Sequence, residues 1–94
     1  MKGVVSGVLV FAALVSLRAG ADHPGLKSYE THCARCHGAE GRGGNGPRLV
    51  PFIFSYEQAL EQIRHPVCDM PAMPATQLSD EDVAKIVAYL QSIE

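Results

Sequence analysis

Tryptophan is absent from these 94 residues, and there are only three phenylalanines and three tyrosines. A core built on many large aromatic rings is therefore excluded. No excess of basic charge is present either. Eight Lys and Arg face 10 Asp and Glu, with no basic cluster, so nucleic acid is not an expected partner. No segment alternates apolar and polar residues as a strand would. No internal repeat and no low-complexity tract occurs. Cysteine is scarce, and its count of three is odd, so the thiols cannot all pair within one chain. The length admits one domain at most.

What is present begins with a leader pattern. Met1-Lys2 carries a positive charge, and the apolar run "GVVSGVLVFAALVSL", Gly3 to Leu17, follows. Arg18 and the small-residue site Ala19-Gly20-Ala21 close it. This order predicts a secretory signal peptide over 1–21, cleaved after about Ala21, and export to the periplasm. The run is shorter than the about 20 residues a spanning helix needs, and Ser6 and Gly7 interrupt it. No stable membrane insertion of the mature chain is expected. The mature domain, 22–94, loses two basic residues, Lys2 and Arg18, so 6 basic face 10 acidic and the net charge is near −4. Domains this small usually need a staple or a bound group to complete their core.

The reading of the mature chain is all-α with long loops. A first helix is predicted from about Pro24 to Cys36, with Gly25, Tyr29 and Cys33 on one face. "HGAEGRGGNGPRLVP" is too rich in Gly and Pro for a regular element. A second helix is predicted from about Ser55 to Arg64, ended by His65-Pro66. A third opens at Ser79 with Asp80, Glu81 and Asp82 and carries Val83, Ile86, Val87 and Leu90 at helical spacing.

The chemistry sits in "CARCH", Cys33 to His37. C-x-x-C-H is the spacing of covalent c-type haem attachment. Residues i, i+3 and i+4 share a helix face. Two thiols can add to the two haem vinyl groups while the imidazole reaches the iron. Three rivals exist. A thioredoxin-type redox pair belongs near a β-α-β pattern, which is absent. A zinc site wants four ligands. A plain disulfide beside a chance histidine is compatible with export.

"YETHCARCHGAEGRGGNGPRL" and, later, "MPAMPATQLSDEDVAKIVAYL" resemble a small class I, monohaem cytochrome c over Gly25 to Ile93. The resemblance implies three to four helices around a covalently attached haem c, with the N- and C-terminal helices crossing. Gly25 and Tyr29 would meet Tyr89 and Leu90 there. It also implies that the Pro47 carbonyl accepts the second ring N–H of His37 and that Leu49 packs on the haem. Such a bond to a ligating histidine fixes its tautomer and strengthens it as a donor.

The sixth iron ligand is sought in "VCDMPAMP", Val67 to Pro74. Met70 and Met73 both precede proline, so both favour extended backbone and would lie roughly 9 Å apart on one side of a polyproline strap. Local physics does not choose between them. The resemblance does: its order of Met-Pro, a large apolar residue, then Leu and an acidic helix start implies Met70 as ligand and Met73 as packing. His23, His32 and His65 are competitors for a bis-histidine iron. Arg64, at a helix end, is either a haem-propionate donor or an exposed cation. Cys68 is the unmatched thiol. Its plainest role is a small, partly buried apolar residue; a disulfide dimer, a mixed disulfide or iron ligation are its chemical alternatives.

The resulting expectation is a periplasmic one-electron carrier with His37 and Met70 on the iron. Its expected partners are redox proteins: a periplasmic dehydrogenase, an oxidase or a membrane quinol-oxidising complex. A second reading makes it the cytochrome subunit of a dehydrogenase. A third, an enzyme or sensor with an open iron position, would require a labile methionine.

Overall fold

In the computed structural model, residues 22–94 are described; the leader expected over 1–21 lies outside them. The first helical stretch comes in two pieces, α1 (Leu26–His32) and α2 (Ala34–His37). Cys33 divides them. Its φ of −122° and ψ of −37° are not helical, so it caps the end of α1 and the start of α2. The hydrogen bonds nonetheless carry on through it. Cys33 N–H donates to Tyr29 O at 2.8 Å, and His37 N–H donates to Cys33 O at 2.9 Å. The single helix expected from Pro24 to Cys36 is thus a bent pair that ends one residue later, at His37.

The Gly-rich segment is not wholly irregular, because Ala39–Gly41 forms a 3-10 turn. Helix α3 (Tyr56–Arg64) is set by a capping box. Gln58 N–H donates to Ser55 Oγ at 3.0 Å, and Ser55 N–H donates to Gln58 Oε1 at 2.8 Å. Helix α4 (Asp80–Ser92) starts on Ser79, whose hydroxyl accepts from Asp82 N–H at 3.1 Å, and carries three acids in its first turn. No strand occurs among the described residues.

Helix α4 is the centre of the packing. It buries Val83, Ile86, Val87, Tyr89 and Leu90, and both α1 and α3 pack on it. Where α1 crosses α4, Gly25 is buried against the backbone carbonyl of Lys85. One turn further along α1, the Tyr29 and Tyr89 rings lie 5.4 Å apart. Tyr29 is fully buried, and its hydroxyl donates to Gly38 O at 2.6 Å, tying α1 to the end of α2. Burial pushes that hydroxyl up to about 12, so it stays protonated and remains a donor. Leu90 is buried beside Gly41 and also lines the site.

Candidate functional site

Between α2, α3, α4 and the two long loops lies a cleft of about 850 Å³. Ile86, Val87 and Leu90 of α4 face it from one side, and Ala59 and Ile63 of α3 from another. Phe52 and Leu49 reach it from the Gly-rich loop, and the exposed Phe54 and Val67 stand at its mouth. Few polar groups converge on it. Asn45, Gln58 and Gln62 bring neutral amides, and Asp69 is the one acidic side chain that lines it among the described residues. A large, flat, mostly apolar group suits such a space.

Cys33, Cys36 and His37 all line the cleft. Cys33 is buried and Cys36 half-buried, and both are free thiols, not a disulfide. Burial pushes the Cys33 thiol up to about 11, the mark of an apolar wall rather than of an activated redox cysteine. No group of three or more His, Cys, Asp and Glu side chains gathers as a zinc site requires, among the described residues.

His37 is held by the loop that follows it. Its Nδ1–H donates to Pro47 O at 2.7 Å. Since a carbonyl only accepts, that nitrogen carries the proton, and Nε2 keeps its lone pair free for a metal. The loop is fastened to α2 by Gly43 N–H to His37 O at 2.7 Å and Gly46 N–H to Cys36 O at 2.7 Å. A side chain at Gly46 would put its Cβ 3.1 Å from His37 Cε1 and disturb the ring. Leu49 N–H donates to Gly41 O at 2.9 Å, which sets the half-buried Leu49 against the cleft.

The two methionines are separated by their surroundings. Met70 is half-buried and lines the cleft. Met73 is buried in the core and lines a second, smaller cavity of about 320 Å³, which Met70, Cys33, Cys36 and His37 also border. The strap is pinned at Met73: its N–H donates to Ile63 O at 2.9 Å, and its carbonyl accepts from Arg64 Nη1 at 2.9 Å. Arg64 also pairs with Asp80 at 2.6 Å. Arg64 is therefore neither a cleft residue nor an exposed cation. Its guanidinium joins the end of α3, the strap and the start of α4.

Cys68 departs from its simplest expectation. It is exposed, at φ +61°, where the chain turns outward before returning through Met70. His23 accepts from Gly25 N–H at 3.0 Å and packs on Tyr89, and neither it, His32 nor His65 lines the large cleft. Sequence reasoning passed over Gln62, whose amide Nε2 stands 3.7 Å from Met70 Sδ. Its i, i+4 relation to Gln58, itself tied to the Ser55 cap, was the available signal.

The family model described as cytochrome c oxidase, cbb3-type, subunit III matches residues 20–90, about three quarters of the chain. The dihydro-heme d1 dehydrogenase of Pseudomonas aeruginosa is 38% identical over 89 residues, covering 89% of this chain and 18% of that protein. A cytochrome c-553-like protein of Synechocystis is 29% identical over 108 residues, covering 99% of this chain and 100% of that protein. The chain thus spans less than a fifth of the first relative and all of the second. No solved structure gives a significant match.

Proposed function

The chain belongs to the c-type cytochrome family described as cytochrome c oxidase, cbb3-type, subunit III, and on that footing we propose that it is a periplasmic one-electron carrier with His37 and Met70 as iron ligands. Its family carries covalently bound haem c and works in haem-based electron transfer. The cofactor supplies a one-electron change at iron. The protein's own residues do the rest. Cys33 and Cys36 anchor the group. His37 would bind the iron through Nε2, with Pro47 fixing its tautomer. Leu49, Ile86, Val87 and Leu90 would exclude water from the bound group. Met70 supplies the soft sulfur that favours the reduced state.

The observation that carries this reading is that Cys33, Cys36, His37 and Met70 all line the larger, mostly apolar cleft, whereas Met73 meets them only in the smaller cavity. Its test is the absorption spectrum of the ferric protein. Sulfur-to-iron charge transfer gives a weak band in the red. Met70→Ala is expected to lose it and Met73→Ala to keep it; loss in Met73→Ala alone reverses the assignment. Docking should be brief and electrostatically guided, through the exposed Phe54 and Val67 at the cleft mouth. With a net charge near −4 on the mature domain, the rate of electron exchange with a basic partner is expected to fall as salt rises, as stopped-flow mixing can read.

A second reading has its own support. The dehydrogenase relative is more than five times as long as the matched segment, as expected if such domains serve larger enzymes. In that case this chain feeds electrons to or from a catalytic subunit. Co-purification with a larger chain after mild extraction favours that reading, and a monomer at every concentration counts against it.

A further inference from the structure

We propose that Gln62 is a positioning residue for the Met70 sulfur: it donates a hydrogen bond to one lone pair of the thioether and leaves the other for the iron. The inference rests on the reading of Met70 as a ligand. A thioether sulfur only accepts, so the amide group 3.7 Å from Met70 Sδ is the NH₂ of Gln62, acting as donor. Both residues are half-buried and both line the large cleft, so water competes weakly for the contact.

The strap alone cannot place the sulfur. Pro71 and the clamp on Met73 restrain the Met70 backbone, but three rotatable bonds separate its Cα from its methyl group. Gln62 is better fixed. It stands in the last turns of α3, a helix held at its start by the capping box and at its end by Arg64. A bond from this residue selects one orientation of the thioether. It also sets a dipole with its positive end against the ligand. That dipole opposes the extra positive charge of the ferric state, so it raises the reduced fraction at a given ambient potential.

The test uses the haem-loaded protein. The reduced-to-oxidised ratio at a fixed ambient potential is measured for wild type, Gln62→Leu and Gln62→Glu, beside the proton spectrum of reduced wild type and Met70→Ala. Loss of one neutral hydrogen bond is expected to lower the ratio about five-fold in Gln62→Leu, which is about 40 mV at 59 mV per decade for one electron. Gln62→Glu keeps the shape, removes the donor and adds a negative charge. Its ratio should fall further. A purely structural Gln62 would change the melting temperature and not the ratio. In the reduced wild type, the methyl of an axial methionine is shifted far upfield by the ring current of the haem. If that line persists in Met70→Ala, Met70 is not the ligand and both readings fall. If the line vanishes, yet both Gln62 variants keep the ratio within about two-fold of wild type, the ligand reading stands and the role of Gln62 alone is overturned.

Discussion

A chain in which Cys33 and Cys36 are both alanine, purified free of haem, is expected to show little helical circular dichroism and no cooperative melt. The cleft explains why. It measures about 850 Å³ and is walled by Phe52, Ile63, Ile86, Val87 and Leu90. An enclosed cavity costs about 24 cal/mol per Å³, which would be about 20 kcal/mol for a space of this size. The cleft is partly open, so only a fraction of that applies. A quarter of it, about 5 kcal/mol, already equals the low end of the stability of an ordinary domain. The wall cannot collapse inward cheaply, because α4 is held by α1 on one side and α3 on the other. Haem therefore acts as part of the core, and its loss is a folding event. Far-ultraviolet circular dichroism against temperature, beside the haem-loaded wild type, decides it. A cooperative melt of the haem-free variant would show that the protein core suffices alone.

Much of this site is legible along the chain because its signals are local. Cys33, Cys36 and His37 carry their meaning in their spacing. Ser55, and Ser79 with its three acids, mark two helix starts. The all-α class follows from apolar spacing on α4 and the absence of alternation. What escapes is set by contacts between distant segments. The bend at Cys33 leaves the hydrogen-bond ladder intact, so nothing in Ala34-Arg35-Cys36 announces it. Arg64 finds its partners 9 and 16 residues away, at Met73 and Asp80. Composition around Arg64 cannot reveal them. Cys68 was expected partly buried because thiols usually are, whereas a turn at positive φ carries it outward.

The two methionines illustrate the same division. Their local sequences are nearly alike, each a Met before a Pro. Their environments differ because Ile63 and Arg64 hold one of them by its backbone. Met73 is drawn into the core by these bonds, and Met70 is left three residues up the strap, facing the cleft beside Gln62. A clamp built from the end of α3 thus gives the two methionines different surroundings, Met73 in the core and Met70 against the large cleft.

Gly25→Ala is expected to be strongly damaging although it adds a single methyl group. An ideal Cβ at Gly25 would lie 2.0 Å from the backbone oxygen of Lys85 and 3.0 Å from Tyr89 Cβ. Neither neighbour can rotate away, since one is main chain and the other is fixed to it. Backbone conformation is not the obstacle. Gly25 has φ −88° and ψ −8°, which alanine adopts freely, and the smaller entropy of the unfolded alanine chain would by itself stabilise by about 0.4–1 kcal/mol. The clash must outweigh that gain. Relieving it means moving α1 off α4 by more than 1 Å, which loosens the Tyr29–Tyr89 contact and the turn that leads into Cys33. Overpacking in a well-packed core costs about 1–3 kcal/mol, and a backbone-against-backbone contact belongs at the upper end. About 3 kcal/mol lowers the melting temperature by roughly 15 °C in a domain of this size. Lys85→Ala is the control. It keeps the carbonyl and removes only an exposed side chain, so it should stay within about 0.5 kcal/mol of wild type. Thermal melts of the haem-loaded proteins compare the two directly. If Gly25→Ala melts with wild type, the helices do not cross at this contact; if Lys85→Ala falls as far as Gly25→Ala, the damage comes from the side chain and not from the close approach of the two backbones.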